Sequence, residues 1–280
     1  MKILVTGAAG QLGRAVCRRL TALGVQHKGV DAMDFDLTDE KATLMALHDY
    51  MPDGVIHCAA YTAVDKAEAE RDLCFRVNVN GTVNIAKACR EMDARMLYTS
   101  TDYVFDGSGK QPFETYDAKS PINYYGETKA RGEAEMLSRL SKSYIVRISW
   151  LFGLDGNNFV KTMLRLGAGQ DSVRVVADQV GSPTYAEDVA QLMCQMIQTD
   201  KYGIYHATNE GFCSWHDFAS AIISLAKLAC QVIPIPTSDY PTAARRPANS
   251  RLSKKSLDES GFERLPNWED ALTRYFASSR

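Results

Sequence analysis

Apolar and polar positions along the chain switch repeatedly between a two-residue and a 3.6-residue period. Residues 2–6 form a short β-branched, apolar run that reads as a strand. It breaks into Gly7-Ala8-Ala9-Gly10-Gln11-Leu12-Gly13, after which Leu12, Val16, Leu20 and Leu23 recur at helical spacing as far as Gly24. Residues 25–30 predict a second strand that closes on Asp31. Thr38 or Asp39 is placed to cap a helix running to about Met51, and Pro52-Asp53-Gly54 ends it. Residues 55–60 predict a third, buried strand. A long helix is expected over 72–92, a strand from 95 to about 99, a helix from Tyr125 to about Leu140, and a strand over 144–149. Strands alternating with helices predict an α/β fold, a Rossmann-type doubly wound parallel sheet that binds ligands at its carboxyl edge.

Beyond Trp150 the pattern changes. Asn157-Asn158-Phe159 opens a helix to about Leu166, residues 173–176 read as a short strand, and 187–198 as a helix. Residues 202–207 predict a strand that rejoins the large sheet, 215–228 an amphipathic helix, and 268–277 a last helix. The expected organisation is a dinucleotide-binding domain over 1–150 and a mainly substrate-binding lobe over 151–280. Segments at about 186–208 are expected to return to the first domain.

Composition narrows the classes. A chain of 280 residues can bury a full core. Its net charge of -2 and lack of a Lys/Arg run argue against nucleic acid. No apolar run reaches the roughly 18 residues that span a membrane. The first residues enter a strand at once, leaving no room for a signal peptide. Seven cysteines, an odd number without a C-x-x-C pair, read as reduced buried thiols of a cytoplasmic protein. Five histidines show no metal-ligand spacing.

The candidate chemistry lies at the strand ends. Gly7 permits a tight turn, Gly10 a close approach to a pyrophosphate, and Gly13 close packing of helix on strand, with phosphates at the helix N-terminus. Asp31 is placed to accept from an adenosine ribose hydroxyl. Asp36 and Leu37 suit the adenine as well as the start of the next helix. The small residues Ala59 and Ala60 let a cofactor pass near the backbone. His57 reads as a packed strand residue, and Asn78 as a structural helix residue or one that bonds backbone near the site. Tyr125 and Lys129, four apart, share one helix face. The ammonium there is expected to pull the phenol below its reference pKa of about 10. Thr101, following a strand, is placed to face the same carbonyl oxygen. Alone, this spacing also fits a solvated helix face.

Taken together these residues resemble the extended short-chain dehydrogenase/reductases, and within them more closely the dTDP-4-dehydrorhamnose reductase family. The likeness runs nearly the whole length. Its carriers are the glycine turn, residues 59–68 (AAYTAVDKAE), Ser100-Thr101-Asp102-Tyr103-Val104-Phe105 and Tyr125-Gly126-Glu127-Thr128-Lys129. It continues through Ser149-Trp150, Asn158-Phe159, Asp178-Gln179-x-Gly181-x-Pro183-Thr184, and Ala244-Arg245-Arg246-Pro247. The resemblance implies that NADPH or NADH delivers hydride to C4 of dTDP-4-dehydro-6-deoxy-L-mannose, giving dTDP-L-rhamnose. It implies Tyr125 as proton donor, Lys129 as its partner and holder of the nicotinamide ribose, and Thr101 as hydrogen-bonding the developing alkoxide. Cofactor contacts map to Gly7, Gly10, Gln11, Leu12, Gly13, Asp31, Asp36, Leu37, Ala59, Ala60, Tyr61, Thr62 and Thr99, besides Tyr125 and Lys129. Substrate contacts map to Thr101, Asp102, Trp150, Asn158, Gln179, Arg245 and Arg246. Trp150 fits sugar stacking or core filling, and the two arginines fit a diphosphate clamp or a surface pair.

One departure matters. Some relatives dimerise through a magnesium ion held by glutamates, one of them early in the first helix. This chain has Ala15 there, beside Arg14. No such metal site is expected, and the chain is expected to be a monomer or a weak homodimer. A dehydratase would want a carboxylate pair after Thr101, where Tyr103 follows Asp102. An epimerase would hold its NAD without net consumption. A non-catalytic, dinucleotide-binding regulatory subunit shares the fold, and the intact Thr101, Tyr125 and Lys129 set weighs against it.

Overall fold

Six parallel strands frame the molecule, in the order β10-β5-β4-β3-β1-β2. The computed structural model describes residues 1–278. The strands are β1 (Lys2–Thr6), β2 (Gln26–Val30), β3 (Gly54–His57), β4 (Arg95–Thr101), β5 (Ser143–Ile148) and, from the second half of the chain, β10 (Gly203–His206). The inner strands are buried almost throughout, as a sheet covered on both faces requires, whereas edge strand β2 keeps only Val30 fully covered. The register brings Thr6 level with His57, His57 with Tyr98, and Thr101 with Ile148, so the polar ends of β1, β3 and β4 emerge along one edge.

The covering helices follow from caps and apolar stripes. Helix α1 (Gln11–Ala22) buries Leu12, Val16 and Leu20 against the sheet. Helix α2 (Glu40–Tyr50) is capped by the Asp39 carboxylate, which accepts from the Ala42 amide. After the short α3 (Val64–Ala67), the single long helix expected over 72–92 is three pieces. These are α4 (Arg71–Phe75), a π-helical stretch Arg76–Gly81 and α5 (Thr82–Glu91). The π turn holds Asn78, whose buried amide leaves the helix surface to bond neighbouring backbone; the apolar period alone does not register one wide turn. Helix α6 (Tyr124–Leu137) is capped by Asn123, which accepts from the Gly126 amide.

The second half builds small sheets over the carboxyl edge. Strands β6 (Leu151–Phe152) and β9 (Thr184–Tyr185) pair. Strand β7 (Ser172–Val176) pairs with β12 (Gln231–Ile235), and β8 (Val180–Gly181) lies between β11 (Cys213–Ser214) and β13 (Asn249–Ser250). Helices α7 (Phe159–Gly169), α9 (Trp215–Leu225) and α11 (Trp268–Ser278) enclose a separate core around Phe152, Phe218 and Tyr275, with α10 (Lys255–Glu259) outside it. Helix α8 (Ala186–Met196) instead shares the main core, where Val189 and Met193 join Val16 and Leu20. The cysteines are free thiols. Among the described residues no helix is long and apolar enough to cross a membrane.

Candidate active site

A cleft of about 960 Å³ follows the carboxyl edge. At one end is the glycine turn. Gly7 has φ +67°, and a Cβ there would come 2.6 Å from the Ala59 amide nitrogen. The turn delivers the N-terminus of α1 into the cleft, and its N-cap, Gly10, has no side chain to satisfy the first amides. An open helix N-terminus with no acidic residue in its first turn suits a pyrophosphate. Asp31 lies beside it, accepting from the Ala9 and Ala32 amides at 2.8 Å each. Gly10, Gln11, Leu12, Gly13, Asp36, Leu37, Ala59, Ala60, Thr62 and Thr99 also line the cleft. These residues fit a dinucleotide. Tyr61 does not line it. Its hydroxyl turns away to Glu70, while its backbone is held by Asn78, whose Oδ1 accepts from the Tyr61 amide at 2.8 Å. Asn78 thus fixes the wall of the site and is more than a polar helix residue; its Nδ2 also donates to Thr128 on α6 at 3.0 Å.

At the other end, β4 extends through Thr101, further than the apolar run predicts, because Ser100 and Thr101 stay paired with Arg147 and Ile148. The Thr101 hydroxyl donates to Asp102 Oδ1 at 2.9 Å and contacts the Tyr125 phenol. A Cβ on Gly126 would sit 2.1 Å from the Tyr103 carbonyl oxygen, so only glycine lets α6 press Tyr125 this near Thr101. Asp102 is 4% exposed, and burial lifts its carboxyl to about 6.

The expected depression of the Tyr125 phenol is not found. Desolvation in the cleft, reinforced by the Asp102 charge, raises it above its usual 10. Lys129 cannot counter this. It is 2% exposed, and burial pushes it down to about 7 against the upward pull of Glu133. Its Nζ sits 3.9 Å from the centre of the Tyr98 ring. Tyr125 is therefore a protonated phenol at neutral pH, the form a proton donor needs.

Behind these residues lies a charged network that periodicity did not single out. Glu133, on the same face as Tyr125 and Lys129, is fully buried and accepts from Arg147 at 2.9 and 2.8 Å, Ser100 at 2.6 Å and Lys119 at 3.2 Å. Its signal was the third member of a four-residue spacing. His57 is a packed strand residue, 1% exposed and bonded to Thr6 at 2.6 Å, with its pKa lowered to about 3 by burial.

Four expected substrate contacts lie off the cleft lining. Asn158 caps α7 and gives its amide to Gln11 and the Gly153 carbonyl, both at 2.8 Å. Gln179 is 6% exposed and donates to Thr237 at 3.1 Å. Arg246 pairs with Asp65 at 2.6 Å, and with the Ala244 amide on the same carboxylate this ties the 244–250 segment to α3. Arg245 is exposed, and its carbonyl accepts from Asn123. Trp150 does line the cleft, with Trp215, which the sequence reading missed.

The sequence profile of the RmlD substrate binding domain matches residues 1–280. A dTDP-4-dehydrorhamnose reductase from Aggregatibacter actinomycetemcomitans is 40% identical over 97% of each chain. A crystal structure of a dTDP-4-dehydrorhamnose reductase from Clostridium acetobutylicum superposes with a TM-score of 0.97, at 41% identity over 99% of each chain. The Bacillus anthracis enzyme of that name, solved in complex with NADP, gives a TM-score of 0.97 at 40% identity over 99% of each chain.

Proposed function

The chain belongs to the RmlD substrate binding domain family, and on that premise we propose that it is an NADPH- or NADH-dependent reductase. It reduces the C4 ketone of dTDP-4-dehydro-6-deoxy-L-mannose to give dTDP-L-rhamnose. The observation that carries this reading is that Thr101, Tyr125 and Lys129 line one cleft together with the open glycine turn.

Bound reduced nicotinamide supplies hydride to C4. Gly7, Gly10 and the first amides of α1 hold the pyrophosphate, and Asp31 the adenosine ribose. Tyr125 gives its hydroxyl proton to the C4 oxygen as negative charge grows there. Thr101 holds the phenol and faces the same oxygen. Lys129, which lines the same cleft, orients the nicotinamide ribose. Asp102 fixes the Thr101 hydroxyl. Arg245, exposed and with no carboxylate partner among the described residues, suits the diphosphate, whereas Arg246 is spent on Asp65. The chain works as a monomer or a weak homodimer. The magnesium-bridged dimer of some relatives is not expected, since Ala15 and not a glutamate stands early in α1.

The test is a coupled assay in which a dehydratase and a 3,5-epimerase make the keto sugar from dTDP-glucose. NADPH or NADH consumption that requires the epimerase is expected. Consumption without it moves the substrate to another dTDP-4-keto sugar, and binding of both cofactors without consumption turns the assignment to a non-catalytic subunit.

A further inference from the structure

Trp150 and Trp215 stack face to face in the cleft, ring centres 3.7 Å apart and planes 16° from parallel. They come from different elements, and both pack against the second core. Trp150 follows β5 with φ +49°, an uncommon conformation for a bulky residue. Its carbonyl accepts from the Thr184 amide at 3.1 Å, and a Cβ on Gly181 would come 2.9 Å from the indole, so backbone and ring are held. Trp215 opens α9. Ser214 and Asp217 fix its backbone in a reciprocal cap, while its ring leans on Phe159 at 4.6 Å.

Two large aromatic faces beside Thr101 and Tyr125 suit the apolar face of a pyranose. At 3.7 Å there is no space for a ring between them, since each stacked contact takes roughly that distance itself. Trp150 therefore offers this face only when Trp215 turns away. Trp215 sits at the first position of its helix, where a change of rotamer leaves the capped backbone in place.

We propose that Trp215 is a substrate-contacting residue, and that the Trp150–Trp215 stack is a closed clamp whose indoles part to take the hexose ring of the sugar nucleotide. This rests on the reductase reading and adds to it a residue from the second core that sets affinity for the sugar.

Stacked indoles give an exciton couplet in far-ultraviolet circular dichroism. The third tryptophan, Trp268, belongs to the same core but is separated from Trp215 by Phe218, so the face-to-face pair is Trp150 and Trp215. The couplet is expected in the ligand-free wild type and absent from Trp215→Leu. Saturating dTDP-L-rhamnose should abolish it, and NADPH alone should leave it. Trp215→Leu should raise KM for the sugar nucleotide about tenfold or more with KM for NADPH unchanged, and Trp215→Phe should fall between. The wild-type titration and the phenylalanine variant keep the test valid if Trp215→Leu folds poorly. A couplet indifferent to dTDP-L-rhamnose at concentrations that inhibit turnover, or an unchanged sugar KM, overturns the clamp alone. A wild type that reduces no dTDP-4-keto sugar overturns the reductase reading, and the clamp with it.

Discussion

Replacing Tyr125 with phenylalanine is expected to lower turnover by about 10²–10⁴-fold while NADPH affinity stays within a factor of a few. The substitution removes one hydroxyl and keeps the ring. The glycine turn and Asp31, which hold the far end of the cofactor, are untouched. The phenol is raised above 10 by its surroundings, so nearly every wild-type molecule carries the proton at neutral pH. Losing that donor leaves the growing charge on the C4 oxygen to Thr101, whose proton is directed at Asp102. Single-turnover rates and cofactor titration by fluorescence separate the two effects. Turnover equal to wild type would remove Tyr125 from the chemistry.

Glu133→Gln is expected to cost about 3–5 kcal/mol of folding stability, because it leaves a buried cation without its counter-charge. Arg147 is 1% exposed and gives Glu133 two of its hydrogen bonds, so its charge cannot escape to water. Hydrogen bonds and the Arg147 charge hold the Glu133 carboxyl below its usual 4.5. The stability it lends is thus present above pH 4.5 and is lost as the pH falls through the depressed folded value. Urea melts at pH 7 and pH 4 should show the variant weaker at neutrality and less sensitive to acid. The double change Glu133→Gln with Arg147→Met should recover part of the loss. A loss under about 1 kcal/mol at pH 7 would mean that the pair is not the anchor its burial suggests.

What the sequence revealed depended on how far apart the interacting residues lie. The glycine turn, Asp31 and the Tyr125–Lys129 spacing are local patterns, and each falls where a short segment's period places it. The strand 202–207 was legible from its apolar content, and it pairs with β5. Partners distant in sequence were not legible. Thr101 looked like loop because a hydroxyl interrupts an apolar run, yet its strand partner is Ile148. Arg246 looked like a phosphate ligand, yet its carboxylate, Asp65, lies 181 residues away. Asn158 and Gln179 sit in motifs that resemble a substrate site, yet their amides tie loops together. The phenol shift went the other way because desolvation, which a motif does not display, outweighs one neighbouring charge. Trp215 carried no local signal beyond a large aromatic at a helix start.

The most direct test follows the hydride itself. With NADPH deuterated at the transferring position and the keto sugar made in place, the isolated product is examined by proton magnetic resonance. Deuterium bonded to C4 of the hexose of dTDP-L-rhamnose, one per NADPH consumed, is the predicted result. Product without deuterium, or interconversion of sugars with no NADPH consumed, would contradict reduction at C4 and point to an enzyme that keeps and recycles its nucleotide.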